Sequence, residues 1–173
     1  MNLVLIGYRG TGKSDVARVL ASRLGWPWFD ADEQIEALAG KSIAEIFAQD
    51  GEPVFRDWET RVVGELSERS DTVLALGGGA VMRSENRAAM LRQGRVVWLT
   101  ASPATILRRV AADPATAARR PNLTVQGGIT EIIATLAVRN PIYRQCAHLE
   151  VDTEDKSLAQ VADAILEQLN LGS

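Results

Sequence analysis

The sequence predicts an α/β fold, a three-layer sandwich in which a parallel sheet of five strands is covered by helices on both faces. Three observations predict it. Short apolar runs recur at 3–7, 26–32, 72–79, 95–100 and 148–153. Helical stripes and capping signals separate them. The first and third runs pass straight into glycine-rich turns, as buried parallel strands do.

Taken in order, "LVLIG" (3–7) is the first strand. From Lys13 to Leu24, apolar residues at Val16, Val19, Leu20 and Leu24 form a helical stripe that Gly25 ends. "WPWFDAD" (26–32) reads as a second strand whose end carries two carboxylates. "SIAE" (42–45) is a capping box opening a helix through Gln49, and a further helix spans 53–69 with Pro53 at its start. "TVLALGGG" (72–79) is the third strand, 84–93 a helix and "RVVWLT" (95–100) the fourth strand. "SP" (102–103) caps the next helix. The segment 111–128 is rich in Ala, Pro and Thr and lacks periodicity, so it reads as a long functional or mobile loop. Helix 129–138, strand "HLEVDT" (148–153) and helix 157–169 complete the chain, with Arg139 following a helix and preceding Pro141.

The 173 residues suit a single domain spanning 1–173. The apolar fraction is 46% and the net charge −3, which argues against a general nucleic-acid binder. Three of the 19 basic residues are Lys and the rest Arg, the side chain suited to bidentate grip on phosphate and carboxylate. The single Cys146 cannot form an internal disulfide, which fits a reducing cytoplasm. No apolar run approaches the ~18 residues of a membrane span, and "MNLVLIGY" lacks the basic region of a signal peptide.

Gly7-Tyr8-Arg9-Gly10-Thr11-Gly12-Lys13-Ser14 has the spacing of a phosphate-binding loop, with an apolar strand before it and an amphipathic helix after it. Gly10, Thr11 and Gly12 offer backbone N–H groups to phosphate oxygens, and the helix N-terminus adds partial positive charge. Lys13 is expected at the β- and γ-phosphates and the Ser14 hydroxyl on Mg²⁺. The motif implies ATP-type substrates and Mg²⁺, but names no acceptor. The next residue, Asp15, puts a carboxylate where the nucleotide phosphates are expected.

Asp30 and Asp32 stand at the end of the second strand, where ligands gather in open α/β sheets. Two carboxylates at i, i+2 in a strand face one cleft, one for the metal and one for a substrate proton; alternatively Asp32 caps a helix starting near Glu33. Arg56 and Glu59 can pair on one helical turn, either as a surface ion pair or as part of a site. Gly77-Gly78-Gly79 offers backbone N–H groups to an anion or makes a tight crossover. Arg139 is either a second anion contact or solvated. Together these features suit a small polyhydroxy carboxylic acid.

The series G-x-x-G-x-G-K-S, F-D-A-D, G-E-x-x-F-R-x-x-E, G-G-G, R-P-N-L and R-N-P-I-Y resembles the shikimate kinase family, in that family's order and over nearly the whole chain. The resemblance implies a nucleoside-monophosphate-kinase-like phosphate-loop fold with strand order 2-3-1-4-5 and a mobile lid. It implies ATP-dependent phosphorylation of the 3-hydroxyl of shikimate, in chorismate biosynthesis, by a cytoplasmic monomer with Mg²⁺. Residue by residue, it makes Asp32 the carboxylate on the shikimate hydroxyls and Asp30 the one near Mg²⁺. Arg56 and Arg139 become the grip on the substrate carboxylate, with Gly78 and Gly79 as backbone donors and Phe55 as a wall. Glu59 orients Arg56. Arg120 becomes the lid arginine in a lid of about 112–126, and the acceptor-binding helical region spans about 32–62. Arg109 and Asp155 flank adenine. The chain departs from the pattern in its longer lid, in "RPNL", which leaves Arg119 or Arg120 as the working residue, and in Asp15, where the family carries Thr or Ser. The rival readings are a gluconate kinase or other hydroxy-acid kinase of this fold, and a noncatalytic nucleotide-binding module.

Overall fold

The computed structural model describes residues 1–114 and 128–172. Along the chain run β1 (Asn2–Ile6), α1 (Lys13–Leu24), β2 (Trp28–Asp30), α2 (Ala31–Ala39), α3 (Ile43–Gln49) and α4 (Glu52–Ser67). Then come β3 (Val73–Ala75), a 3₁₀ turn (Ala80–Met82), α5 (Ser84–Gln93), β4 (Gly94–Thr100) and α6 (Pro103–Ala112). Last are α7 (Ile129–Cys146), β5 (Leu149–Asp152) and α8 (Leu158–Gln168). The five strands pair in parallel in the order β2-β3-β1-β4-β5, as the resemblance implies.

The sheet is apolar on both faces because consecutive strand residues point opposite ways. Leu3 and Leu5 of β1 pack with Val97, Leu99 and the buried stripes of α1 (Val16, Leu20) and α8 (Val161, Ile165). Val4 and Ile6 turn to the other face, onto α4 (Val62, Val63, Leu66), Met90 of α5 and Tyr143 of α7. Each such buried side chain contributes roughly 1.5–3 kcal/mol. Register fixes β1 at the centre, with Leu3 opposite Val73 on one side and Arg95 on the other. Every loop at the carboxyl ends of the strands therefore opens on the same edge.

Three elements differ from the sequence reading, the first being the strand expected over 72–79, which is only Val73–Ala75. The strand expected over 26–32 is only Trp28–Asp30, and the chain turns at once into α2. The helix expected to stop at 138 continues to Cys146, with Pro141 and Arg139 inside it. Proline forfeits one backbone hydrogen bond, but the second half of α7 is held by packing. Tyr143 is fully buried, Cys146 nearly so, and the Tyr143 and Trp98 rings lie 5.6 Å apart.

Candidate active site

The loop between β1 and α1 is shaped by its glycines. Gly7 has φ +139°, and a side chain there would meet the Leu99 carbonyl oxygen at 2.4 Å. Gly12 is left-handed and caps α1 without a side-chain hydrogen bond, so the helix's first backbone donors are turned toward an incoming anion. The Lys13 ammonium donates to the Gly7 carbonyl at 2.7 Å and to the Tyr8 carbonyl at 3.0 Å, which holds it over the loop. Thr11 turns its hydroxyl inward to the Tyr8 carbonyl at 2.7 Å. Asp15, in the first turn of α1, is exposed and pairs with Arg18 at 3.2 Å.

Asp30 is the helix cap, not Asp32. One carboxylate oxygen of Asp30 accepts from the Asp32 and Glu33 backbone N–H groups at 2.8 and 3.3 Å. The other accepts from the Ser14 hydroxyl at 2.5 Å. Asp30 is the last strand residue and Asp32 lies in the first turn of α2, so the pair does not share a strand face. Both nevertheless line one cavity. The Ser14–Asp30 pair is an oxygen-only donor set, which fits a hard cation such as Mg²⁺. Among the described residues no three His, Cys, Asp or Glu side chains gather into a metal cage.

The glycine turn after β3 is a place of close approach. A side chain on Gly79 would sit 2.6 Å from the Arg56 guanidinium, and one on Gly78 would sit 3.1 Å from Arg139. The two arginines, far apart in sequence, thus flank one turn. The Tyr143 hydroxyl donates to the Gly78 carbonyl at 2.5 Å, fixing the turn from below. Arg56 bonds Glu59 at 2.9 Å and Glu52 at 3.2 Å, and its guanidinium lies over the Phe55 ring at 5.2 Å. Glu59 is 1% exposed, so this is no surface ion pair. Burial disfavours the charged guanidinium, but the Glu59 and Glu52 carboxylates outweigh it and hold the Arg56 pKa above its ordinary value.

Arg109 joins two loops. It donates to the Gly10 carbonyl at 3.3 Å and to the Thr153 hydroxyl at 2.9 Å. Beside it, Glu154 accepts from the Ser102 backbone N–H at 3.0 Å and from the Thr105 hydroxyl. The Ser102 N–H first, then Thr105, lower the Glu154 pKa. Asp155 is exposed, with a left-handed backbone, and does not line the cavity. Apart from 112–114, the expected lid, with Arg119 and Arg120, lies outside the described residues.

The cavity measures about 510 Å³. The phosphate loop, Asp15, Asp30, Asp32, Gly77, Gly78 and Arg109 line it, while Gly79, Arg56 and Arg139 stand against the glycine turn at its border. Sequence reasoning passed over Arg9 and Asp113, which also line it, and Tyr143, which supports the turn. Arg9 lies inside the loop motif, so its position was the available signal. Tyr143 closes the R-N-P-I-Y motif, but its bond to Gly78 spans 65 residues and had no local signal.

A glycine loop carrying Lys and Ser into a helix, on the central strand of a 2-3-1-4-5 sheet, defines a phosphate-loop kinase. The shikimate kinase family model matches residues 9–170. The shikimate kinase of Rhodopirellula baltica is 44% identical over 165 residues, covering 95% of this chain and 88% of that protein. That of Symbiobacterium thermophilum is 43% identical, covering 98% and 96%. Among solved structures, a shikimate kinase from Acinetobacter baumannii in complex with shikimate matches with a TM-score of 0.92 at 36% identity, covering 98% of this chain and 92% of that one. The chain belongs to the shikimate kinase family. Among the described residues, no helix is long and apolar enough to cross a membrane.

Proposed function

We propose that this chain transfers the γ-phosphoryl group of ATP to the 3-hydroxyl of shikimate. The observation that carries the reading is a shared cavity of about 510 Å³ onto which the phosphate loop, Asp32 and the glycine turn all open. Nucleotide phosphates and a small hydroxy acid would meet there.

Phosphoryl transfer through a loose transition state needs positioning and charge neutralisation more than covalent chemistry. Gly10, Thr11 and Gly12 would cradle the phosphates through backbone N–H groups. Lys13 would leave its carbonyl contacts for the β- and γ-phosphates. Ser14 and Asp30 would hold Mg²⁺, which when bound neutralises phosphate charge. Asp32 would orient the 3-hydroxyl and accept its proton late in transfer. Arg56 and Arg139, with the Gly78 and Gly79 N–H groups, would grip the shikimate carboxylate, and Phe55 would back the pocket. Arg120 would close over the phosphates and exclude water, while Arg109 and Asp155 would border adenine. The reading includes a monomer working in the cytoplasm.

The test measures ADP release with shikimate or gluconate as acceptor. Turnover with shikimate is expected. Turnover with gluconate alone would reassign the acceptor, and ATP binding with no acceptor phosphorylated would leave a nucleotide-binding module. Asp32→Asn should lower kcat at least about tenfold, within the range of positioned acid–base groups. Lys13→Met should abolish transfer in a folded protein.

A further inference from the structure

In the turn after β3, residues 77–82, every carbonyl is taken by a protein donor. The Ala80 and Met82 N–H groups donate to the Gly77 and Gly79 carbonyls at 3.0 and 3.1 Å. The Tyr143 hydroxyl donates to that of Gly78. The remaining carbonyls are held from α5. The Asn86 side-chain amide donates to the Ala80 carbonyl at 2.9 Å. One nitrogen of the Arg87 guanidinium donates to the Val81 carbonyl at 2.7 Å and to the Met82 carbonyl at 3.1 Å.

The N–H groups of the same turn are used differently. Among the described residues, those of Gly77, Gly78 and Gly79 meet no acceptor. In a planar trans peptide the carbonyl and the next N–H point in opposite directions. Fixing the Gly77 and Gly78 carbonyls therefore aims the Gly78 and Gly79 N–H groups the other way. Gly77 and Gly78 line the large cavity, and Arg139 and Arg56 stand against Gly78 and Gly79. The turn thus keeps N–H groups, and no spare carbonyl, for an anion, as a backbone nest does.

We propose that Asn86 and Arg87 are positioning residues for the acceptor's carboxylate. Neither lines the cavity, so each acts through the turn it holds. Asn86 is 1% exposed and fixes the first residue of the 3₁₀ turn, which directly follows Gly79. Arg87 forms no ion pair among the described residues, and its hydrogen bonds there go to the turn's last two carbonyls. A turn released at that end could roll, and a carbonyl swung toward the carboxylate would replace attraction with repulsion. The inference rests on the acceptor reading above and extends it to α5, a helix outside the site.

The experiment measures shikimate KM, ATP KM, kcat and melting temperature for the full chain and three variants. Arg87→Met keeps the aliphatic stem and removes the donors. Arg87→Lys keeps the charge and one reach to a carbonyl. Asn86→Leu keeps the bulk and removes the amide. Arg87→Met and Asn86→Leu should each raise the shikimate KM at least about fivefold, the scale of one lost hydrogen bond. The ATP KM and kcat should stay within about twofold, and Arg87→Lys should recover most of the loss. Half-buried Arg87 keeps the test open if Asn86→Leu does not fold. A shikimate KM within about twofold of wild type in Arg87→Met would overturn the proposal. So would an ATP KM that rises in step with it, which marks general loosening, or a Lys variant no better than Met. Wild-type turnover with unchanged variants would remove this proposal alone. No wild-type turnover of shikimate would remove the acceptor reading and this proposal with it.

Discussion

Glu59 decides what Arg56 is for. A carboxylate 1% exposed packs against its guanidinium neighbour, and the neighbour is held still by it. Arg56→Ala should therefore lower stability by about 3 kcal/mol as well as weaken acceptor binding, which confounds the two effects. Gly79→Ala separates them. Its methyl would sit 2.6 Å from the guanidinium and push it off the turn while leaving the Glu59 carboxylate in reach. The shikimate KM should rise roughly tenfold or more, the scale of a lost charge-assisted contact, with ATP affinity unchanged. An unchanged shikimate KM in Gly79→Ala would remove Arg56 from acceptor binding. Asp15 is the other residue-scale question. Its charge at the mouth of the cavity is partly offset by Arg18 at 3.2 Å. An ionised carboxylate cannot donate to a phosphate and repels it, so Asp15→Thr should tighten ATP·Mg²⁺ binding several-fold. Arg18→Ala should weaken it, by exposing the phosphates to an unpaired carboxylate. Calorimetric titration of both variants checks the pair; equal affinities throughout would make Asp15 a helix-start residue only.

At the scale of elements, α6 and the loop after β5 are tied by one carboxylate. Glu154 takes hydrogen bonds from Ser102 and Thr105 at the start of α6, while Arg109 near its end reaches Thr153 and Gly10. Glu154→Gln should loosen this tie and raise the ATP KM by roughly two- to fivefold, the scale of an exposed charged contact. The sign with pH follows from its lowered pKa. Its contribution to stability is fully present above the ordinary carboxylate value of about 4.3 and is lost as pH falls through the lower folded value. The melting-temperature gap between wild type and Glu154→Gln should thus be widest at neutral pH and close in strong acid. Helix α7 shows where local reading ends. Pro141 is a stop signal that the burial of Tyr143 and Cys146 overrides. Tyr143→Phe tests that anchorage: losing the hydroxyl bond to Gly78 should cost about 1–3 kcal/mol and raise the shikimate KM more than it lowers kcat. An unchanged KM would make Tyr143 a packing residue alone.

For the whole molecule, the sheet and the phosphate loop were legible in the sequence because their signals are local: apolar runs, a helical stripe, glycines at fixed spacing. The sequence misjudged the Asp30–Asp32 pair because it extended a strand through what is a strand end and a helix cap. The approach of Arg56 to Gly79 was implied only by the family resemblance, and the Tyr143 bond to Gly78 was illegible, since each depends on distances that exist only after α4, α7 and the sheet have packed. That dependence has a history in time. The strand made first during synthesis is the middle of the sheet, and its partners start at Val73 and Gly94. The backbone oxygen that crowds Gly7 belongs to Leu99. A growing chain that already contains the entire loop motif therefore has no floor beneath it, and closing such long loops is slow. Ribosome-bound chains ending near residue 90 should bind no nucleotide, whereas those with β4 and β5 clear of the exit tunnel should bind it. Competence to hold a phosphate would then arrive late, as a property of nearly finished protein rather than of the segment that carries the motif.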